Sequence, residues 1–568
     1  MPTTAAFRMG IAVTSSGKIE NPKENPVHYP EDRKFFVWAW PPILGVLIAL
    51  ALLPLVCAWA QRLFLGLPRL PESPSGGTPL AFPGWLRLAH YLNFLLLTLL
   101  IRSGLSVAMD HPRLYTKDDC VPGTEWLRFT PVAVPTAEVW TAKEDARYIS
   151  PWFALPGYRH TIGVARHWHF LPALFWFLNG TVYMALLLST GQWKRLVPTS
   201  WHLVPEAWAT FVNYANLHIP ASETGILYRY NPLQQLSYFG VVFVMAPLSF
   251  LTGMAMSPSI VGRFPWYPKI FGGRQFARSI HFTLMAGYVA FLLVHVSVVF
   301  ATGLGKNLNG IVLGLRGPGW LGLWIASAGI ASVVLACCMA HWTAWRHQRT
   351  MQYVVRWVHN NVMRPLLFEH LATRAGYSRK DISPYFWPNG KMPESLQWRA
   401  LLAGGFKDFR LKVGGLVEKQ VELSLDDLRT LGRVEHITMH HCIQGWSGIA
   451  QWGGLPMAKL VELVRPHPEA KVCVFYSFGE GLYGGDYYDT QRVENLLQGQ
   501  CLLAYQMNDK PLGPVYGAPL RLRVENQLGY KMVKWIKAIE FVTTEKTVGL
   551  GHGGKNEDDE YFDLIPEI

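Results

Sequence analysis

Long apolar runs fill most of the first 340 or so residues of the chain. Six of them reach the roughly 20 residues that an α-helix needs to cross the hydrocarbon core of a bilayer. The fourth run is the clearest, because no charged side chain lies between Arg229 and Arg263, and the second is the weakest, because Arg102 interrupts it. A guanidinium near a helix end can extend to the lipid headgroups. The pattern therefore predicts an all-α transmembrane helical bundle of six spans, at residues 35–60, 86–108, 168–191, 234–256, 279–302 and 318–341.

The pattern changes after His341. A basic, partly amphipathic stretch follows, and from about residue 381 the apolar runs are short and strand-like, as in "KVCVFYSF" and "APLRLRVE". Gly and Pro turns separate these runs, which predicts a mixed α+β domain. We therefore predict four parts: an N-terminal cytoplasmic segment (1–34), a membrane domain (35–345), a connector (346–380) and a C-terminal α+β domain (381–568).

The composition supports a membrane protein. Half of the residues are hydrophobic and 16% are charged, against about 25% charged in soluble proteins. The net charge of +13 does not indicate nucleic acid as a partner, because no basic patch with interleaved aromatic residues occurs. The seven cysteines include no C-x-x-C pair, which excludes a disulfide framework and the common zinc and iron–sulfur sites.

The distribution of positive charge predicts the sidedness. The loop between the fourth and fifth spans carries four basic residues and no acidic one: Arg263, Lys269, Arg274 and Arg278. Cytoplasmic loops collect Lys and Arg, and an even number of spans puts both termini on one side. The N-terminal "MPTTAAFRMGIAVTSSGKIE" has no apolar stretch after its basic residue, so we expect no cleaved export signal. Both termini and the C-terminal domain are therefore expected in the cytoplasm.

Four histidines lie within the predicted spans, where ionisable groups are costly and usually functional. His281 and His295 share the fifth span and are fourteen residues apart, or about 21 Å and nearly four helical turns. In the alternating topology His169 lies level with His281, and His90 lies level with His295. Two level pairs, each from two helices, are the ligand sets of two bis-histidine b haems. His167 competes with His169 for the ligand position, and the sequence leaves that choice open.

The membrane part resembles a known family. The stretch "YNPLQQLSYFGVVFVMAPLSFLTGMAMSP" at 230–258, together with these histidines, is similar to bacterial b-type cytochromes that serve hydrogenases, formate dehydrogenases and thiosulfate reductases. The resemblance covers roughly residues 80–345. It implies electron exchange between a quinone pool and a redox partner, in a lipid bilayer. The first span is an addition to the family's four-helix core.

The C-terminal part resembles the sulfite-oxidase family of molybdopterin enzymes. "HITMHHCIQGWSGIAQWGGLP" (436–456) contains the lone Cys442, and "LLAYQMNDKPLGPVYGAPLRLRV" and "LGYKMVKWIKAIEF" follow in the family's order. The resemblance implies that Cys442 ligates molybdenum, for which a soft thiolate is suited. It also implies contacts to molybdopterin or its phosphate from Tyr385, Phe386, Ser477, Tyr516, Arg521, Met532, Val533 and Lys534.

The sequence departs from the animal and plant sulfite oxidases at the site. Ile443, Gln444 and Gly445 follow the cysteine, where those enzymes crowd arginines around the metal. Tyr516 stands in place of their histidine. We also expect no immunoglobulin-like dimerisation domain, because the chain leaves little room for one after Cys442. These features are similar to the bacterial sulfoxide-reductase branch of the family.

The prediction is a membrane-bound molybdenum oxidoreductase of the bacterial inner membrane. Electrons from quinol would pass through two b haems to molybdenum at Cys442, where a small-molecule S-oxide or N-oxide would lose its oxygen. Three alternatives stay open. They are oxidation of a sulfite-like substrate with electrons passed to quinone, a haem electron-transfer subunit without molybdenum activity, and a membrane-tethered binding or sensor module that has lost activity.

Overall fold

The structure, a computed structural model, describes most of the chain. The described residues are 41–70, 82–130, 139–147, 162–219, 230–315, 318–358, 376–481 and 484–559, with the short pieces 134, 149–150, 152–154, 361–362 and 365. The predicted N-terminal segment 1–34 and part of the predicted connector lie outside the described residues.

Helices joined by turns, loops and two short strands make up the described residues up to Val358. In chain order the helices are α1 (Pro41–Leu65), α2 (Gly84–Asp110), α3 (Ala142–Asp145), α4 (Ile162–Ser189), α5 (Leu203–Ala215), α6 (Pro232–Phe239), α7 (Ala246–Met256), α8 (Pro258–Arg263), α9 (Arg274–Ala301), α10 (Leu304–Leu313), α11 (Trp320–Arg346) and α12 (Gln348–Val358). In the part of the chain that the structure describes, six helical segments are long and apolar enough to cross a membrane, which confirms the six-span prediction. They are α1, α2, α4, α6 with α7, α9 and α11.

The fourth span changes its winding in the middle. A capping box starts α6, in which the Asn231 side chain accepts from the Gln234 backbone and the Gln234 side chain accepts from the Asn231 backbone. Between α6 and α7 the chain forms a π-helical turn at Gly240–Met245. Pro247 follows this turn and has no N–H to donate to the preceding turn. A π-turn is one way in which a helix accommodates such a lost hydrogen bond.

The segment between α2 and α4, residues 111–147, is named here the cap segment. Its strands β1 (Arg113–Leu114) and β2 (Leu127–Arg128) form an antiparallel pair. A buried ion cluster closes it: the Arg113 guanidinium lies 2.8 Å from Asp145 and 2.6 Å from Glu125. The first turns of α9 bind the same segment, because Arg278 donates to the backbone oxygens of Arg113 and His111 at 2.8 and 2.6 Å. The cap segment is therefore fixed to the membrane helices.

The C-terminal part is rich in strands and contains two five-stranded sheets. Its strands are β3 (Leu411–Gly415), β4 (Val421–Leu423), β5 (Val434–His441), β6 (Ser447–Pro456), β7 (Val472–Glu480), β8 (Asp486–Arg492), β9 (Leu502–Met507), β10 (Lys510–Pro511), β11 (Arg521–Arg523) and β12 (Ile536–Val542). Its helices are α13 (Leu396–Ala403), α14 (Leu425–Thr430), α15 (Met457–Val464), α16 (Val493–Leu496) and α17 (Lys555–Asp559). One sheet has the order β10-β9-β6-β5 with β11 also on β9, and the other has the order β4-β3-β12-β7-β8. This mixed architecture agrees with the predicted α+β class.

One apolar core joins the two sheets. Leu455 and Leu503 of the first sheet and Phe475 and Phe541 of the second are fully buried in the same cluster. Cys473 lies in this cluster and is an ordinary core residue. Because β5, β6 and β9 belong to the packed first sheet, the turn between β5 and β6 has a fixed base.

A buried charge cluster ties the C-terminal helix α17 to the second sheet. The Lys531 ammonium contacts the carboxylates of Asp489 and Glu557, and all three side chains are buried. Removing the cation would leave two buried carboxylates without their partner, which costs about 3–5 kcal/mol.

We expect Lys531→Met to destabilise the C-terminal part by about 3–5 kcal/mol. Lys537→Met is the matched control, because its pair with Asp486 is partly exposed and such pairs contribute about 1 kcal/mol or less. Proteolysis of the purified chain over a temperature series, with mass spectrometry of peptides from 401–548, measures both. Equal cleavage temperatures for the two variants would contradict the assigned importance of Lys531.

Candidate functional site

Four histidines of the membrane helices meet as two pairs. His169 of α4 faces His281 of α9 with 6.2 Å between ring centres, and His90 of α2 faces His295 of α9 at 6.5 Å. Two imidazoles that share one metal at bond lengths of about 2.0 Å place their ring centres about 6 Å apart. The pairings are those that the alternating topology predicts. We name His169 and His281 the near pair and His90 and His295 the far pair, by their distance from the start of α9.

Two hydroxyl groups orient the near pair. Ser103 Oγ lies 3.1 Å from His169 Nδ1, and Thr252 Oγ1 lies 3.0 Å from His281 Nδ1. Each hydroxyl already donates its single hydrogen to a carbonyl one turn earlier in its own helix, at 2.8 and 2.7 Å. It must therefore accept from the Nδ1–H of the histidine. This fixes the tautomer and leaves each Nε2 lone pair for a metal.

The far pair and His167 differ from this arrangement. Tyr238 lies 3.5 Å from His295 Nδ1, a longer contact than those of the near pair. His167 Nδ1 instead lies 2.7 Å from the Gly163 oxygen of its own helix. The ring that faces His281 is that of His169, so the geometry favours His169 over His167 as the ligand.

Two glycines leave space beside the near pair. A Cβ atom at Gly104 would lie 3.5 Å from His169 Cε1, and one at Gly253 would lie 3.6 Å from His281 Cε1. Larger side chains at these positions would extend over the edges of the two rings. Facing rings, free Nε2 atoms and small neighbours are together a donor set that fits a haem between His169 and His281.

Cys442 lies in a tight turn between β5 and β6, residues 442–446, which we name the Cys442 turn. Its backbone N–H donates to the Trp446 oxygen at 3.1 Å, and the Gly445 N–H donates to the Cys442 oxygen at 3.1 Å. Gly445 has a φ of 107°, a conformation that residues with a side chain rarely adopt. The closed turn fixes the direction of the thiol, which is 3% exposed.

Two long polar contacts surround the thiol. Cys442 Sγ lies 3.7 Å from Gln444 Oε1 and 3.7 Å from Asn389 Nδ2. Burial raises the pKa of the Cys442 thiol to about 12, so at neutral pH the sulfur keeps its proton unless a metal cation replaces it. Sequence reasoning missed Asn389, although it follows the predicted contacts Tyr385 and Phe386 by only a few residues.

The structure brings several predicted cofactor contacts together. The Tyr516 hydroxyl donates to the Phe386 oxygen at 3.1 Å, and Arg521 Nη1 donates to the Tyr516 oxygen at 3.2 Å. Lys534 Nζ donates to the Val515 oxygen at 3.0 Å and also to the Asn389 oxygen. Phe386 packs in the same buried cluster as Cys442, with Tyr385 and Tyr516 at its edge. Five of the predicted contacts therefore share one region with the thiol.

The electrostatics of this region fit an anion. Arg521 is buried and Lys534 is half-buried, and burial with the nearby Arg523 lowers the pKa of Arg521 to about 9. Burial, then Arg521, lower the pKa of Lys534 well below its usual value. Among the residues that the structure describes, Arg521 Nε has no hydrogen-bond partner. Buried cations of this kind are costly unless an anion is bound, and a pterin phosphate is such an anion.

Ser477, Met532 and Val533 lie beside Lys534 in the core. The Ser477 hydroxyl donates to the Lys534 oxygen at 2.7 Å and accepts from the Gly479 N–H at 2.9 Å. Met532 and Val533 are buried. These three residues fix the backbone that carries Lys534, and the Ser477 hydroxyl already has a donor and an acceptor.

Sequence reasoning also missed the pair of His440 and Arg523. Arg523 Nη1 donates to His440 Nδ1 at 3.0 Å, and its guanidinium lies 4.3 Å from the Trp452 ring centre. Burial, with Arg523 next, lowers the pKa of His440 well below its usual value, so the ring is neutral. The one signal in the sequence was that His440 stands two residues before Cys442.

The cap segment contacts the Cys442 site. The Trp387 indole donates to the Cys120 oxygen at 2.7 Å, and the Ala142 N–H donates to the Pro388 oxygen at 2.9 Å. Gln444 Nε2 lies 3.3 Å from the Ala142 oxygen. The membrane part of the chain thus completes the wall around the thiol, which no sequence pattern had indicated.

Two family descriptions match the chain. Residues 81–314 match the prokaryotic cytochrome b561 family, and residues 401–548 match the oxidoreductase molybdopterin-binding domain. The first range includes all four paired histidines. The second includes Cys442, Arg521 and Lys534.

Relatives match over part of their length. A protein of Azospira oryzae named for the protein-methionine-sulfoxide reductase subunit YedZ1 is 36% identical over 135 residues, 24% of this chain and 49% of that protein. The protein-methionine-sulfoxide reductase catalytic subunit MsrP of Campylobacter jejuni is 30% identical over 146 residues, 24% of this chain and 49% of that protein. The chain spans about half the length of these relatives.

A solved structure, the sulfane dehydrogenase SoxCD of Paracoccus pantotrophus, is 22% identical with a TM-score of 0.22, over 24% of this chain and 39% of that chain. That score is too low to compare the folds. The family matches, in contrast, agree with both predicted resemblances. The chain therefore carries a prokaryotic cytochrome b561 domain and, behind it, an oxidoreductase molybdopterin-binding domain of the sulfite-oxidase type.

Proposed function

We propose that the protein is a membrane-bound molybdenum oxidoreductase that reduces an S-oxide or an N-oxide with electrons from quinol. The observation that carries the proposal is the direct contact between the two parts of the chain: Arg274, on the helix of His281, donates to the Gly445 oxygen of the Cys442 turn at 2.9 Å. A site for electron carriers and a site for oxygen-atom transfer thus meet in one chain. The sulfoxide reductases among the relatives support reduction as the direction.

The reaction balances with two electrons and two protons. The S=O bond of an S-oxide or the N–O bond of an N-oxide breaks, its oxygen leaves as water with the two protons, and the sulfur or nitrogen is reduced by the two electrons. One quinol is oxidised to quinone and supplies both electrons, releasing two protons on its side of the membrane. A molybdenum centre supplies, when bound, an acceptor for the oxygen atom.

The residues of the chain have separate tasks. Cys442 holds the metal through one thiolate, and Arg521 and Lys534 hold the phosphate of the pterin. The near and far pairs hold one b haem each, which makes two haems at two depths. Burial around Cys442 excludes water from the reacting atoms.

The substrate we propose is a small molecule. Cys442 is almost fully buried, and the cap segment packs over Trp387 and the Cys442 turn. A side chain of a folded protein would have to displace this segment in order to reach the thiol. The relatives act on protein methionine sulfoxide by name, so we expect this chain to differ from them in substrate size.

Reduction is favoured over oxidation of a sulfite-like dianion. Such a dianion needs free guanidinium groups at the metal. Two arginines next to the Cys442 turn donate to its backbone instead: Arg166 to the Ile443 oxygen and Arg274 to the Gly445 oxygen. Arg278, also beside Gly445, donates to backbone oxygens of the cap segment. The binding groups for sulfite are therefore occupied.

We expect Cys442→Ser to lose turnover at least about 100-fold and to lose molybdenum, because the hydroxyl is a poorer ligand than a thiolate. Haem absorption should stay unchanged. Cys338→Ser, at an exposed cysteine, is the control and should retain both. Dimethyl sulfoxide reduction, metal analysis and visible spectra check this, and full activity of Cys442→Ser would refute the thiolate assignment.

We expect His169→Ala and His281→Ala to lose the same haem, and His90→Ala and His295→Ala to lose the other, because each haem needs both axial ligands. His167→Ala is the control and should retain two haems. Reduced-minus-oxidised spectra of the purified variants give the haem content. Undiminished haem in all four variants would show that the pairing is wrong.

We expect the molybdopterin-binding domain to face the cytoplasm, because the loop before α9 is rich in positive charge. Lys419→Cys lies on an exposed turn of the C-terminal part, and Lys194→Cys is exposed beyond the end of α4, on the opposite side. An impermeant thiol reagent on spheroplasts should modify position 194 and not position 419, as read by mass spectrometry. The reverse pattern would put the domain outside.

A further inference from the structure

The Cys442 turn is bound to the membrane helices through its backbone. The Gly445 oxygen accepts from Arg274 Nη1 at 2.9 Å and from Gln275 Nε2 at 3.1 Å. The Ile443 oxygen accepts from Arg166 Nη1 at 3.1 Å. Three side chains of the membrane domain therefore bind the backbone oxygens of the second and fourth residues of the five-residue turn.

These side chains come from the two helices that carry the near pair. Arg274 and Gln275 lie in the first turn of α9, about two turns before His281. Arg166 lies on α4, one turn before His169. His169 is thus linked to the Cys442 turn by a segment of α4 and one hydrogen bond, and His281 by a segment of α9 and two hydrogen bonds.

Arg274 has a second contact that points to the same histidine. Its Nε donates to the Met256 oxygen at 2.9 Å, at the end of α7. Thr252, one turn earlier on α7, accepts from His281. Arg274 therefore joins α7, α9 and the Cys442 turn at one point.

The start of α9 is itself fixed by the cap segment. Asp118 Oδ1 accepts from the Gln275 backbone N–H at 2.8 Å, and an acidic group at a helix N-terminus is stabilised by the helix dipole. A Cβ atom at Gly273 would lie 2.7 Å from the Asp118 carboxylate, so glycine permits this approach. Arg274 and Gln275 are buried, and their positions are determined on both sides.

We propose that Arg166, Arg274 and Gln275 are positioning residues that hold the Cys442 turn at a fixed separation from the near pair, and so set the rate at which electrons reach the Cys442 site. The inference rests on the proposed function. An electron crosses a gap at a rate that falls steeply as the gap widens. Each reduced S-oxide takes two electrons and two protons, and electrons arrive singly from haem, so the gap is crossed twice in each turnover.

A purely structural role for these contacts would have a different signature. The two parts of the chain also meet elsewhere, where Arg349 of α12 donates to the Asp558 oxygen at 3.1 Å. Arg349 is as basic as Arg274 and bridges the same two parts, but it does not touch the Cys442 turn. Arg349→Gln is therefore a matched control for Arg274→Gln.

The experiment uses the purified full-length protein with its cofactors, in detergent micelles. Haem is first reduced with a quinol analogue, the protein is mixed with dimethyl sulfoxide or trimethylamine N-oxide, and the re-oxidation of haem is followed by absorbance. In Arg274→Gln we expect re-oxidation at least about 10-fold slower than in the wild type, with the haem spectrum and metal content unchanged. Arg349→Gln should re-oxidise at the wild-type rate.

A second measurement separates electron delivery from damage to the site. Reduced methyl viologen supplies electrons to the Cys442 site directly, so turnover with it should be unchanged in Arg274→Gln. Relaxation of the Mo(V) electron-spin signal by the oxidised haem reports their separation, and it should weaken in the same variant. Wild-type re-oxidation in Arg274→Gln would overturn the proposal, as would a parallel loss of viologen-driven turnover.

The outcomes also distinguish this inference from the proposed function. If neither oxide re-oxidises haem in the wild type, the proposed function fails before any variant is compared. If Arg274→Gln does not retain haem, the same two measurements on Arg166→Gln and Gln275→Ala test the proposal instead. Wild-type re-oxidation in both of those variants would then overturn the proposal.

Discussion

The hydrogen bonding of the Cys442 turn is the constraint on which the rest of the site depends. A tight turn leaves carbonyl groups that point outward, and in the interior each of them needs a donor. Here the donors for Ile443 and Gly445 come from α4 and α9, which belong to the other domain. The turn that holds the thiol is therefore complete only when the membrane helices are in place. This makes the position of Cys442 relative to the near pair a property of the fold rather than of a transient encounter.

The histidines of the membrane helices also need hydrogen-bond partners, and fewer polar groups are available to them. An imidazole within a span needs a partner for its Nδ1–H, since water is excluded there. Ser103 and Thr252 provide it while their own hydrogens go back to helix carbonyls. The far pair has a longer contact, from Tyr238. The near pair, next to the Cys442 turn, is thus the more firmly oriented of the two.

A feature could be predicted from the sequence when it depends on residues close together in the chain, and not when it depends on contacts between distant residues. Span number depends on local hydrophobicity, and the histidine pairing depends on helical rise and alternating direction, so both could be worked out from the chain. The wall that the cap segment forms around the thiol could not be predicted, because no local sequence pattern shows that Ala142 contacts Gln444. Arg274 is instructive: as a sequence feature it counted toward positive charge in a loop, whereas in the structure it is buried and bound to backbone oxygens. Tertiary contacts gave it a role that its residue type did not reveal.

The pairing of buried cations shows where the chain leaves room for a ligand. Arg113, Arg523 and Lys531 are buried, and each contacts a carboxylate of the chain within 3 Å. Arg521 is buried too and Lys534 is half-buried, yet in the described part of the chain neither forms an ion pair with an acidic side chain, and their bonds go to backbone oxygens. An unpaired buried charge is destabilising by several kcal/mol, roughly 3–5 in measured cases. Arg274 is buried without a carboxylate partner as well, but its donors are used by the backbone oxygens of Met256 and Gly445. Arg521 and Lys534 differ from it because they lie next to each other beside Cys442, which is why we propose that the phosphate of the pterin binds there.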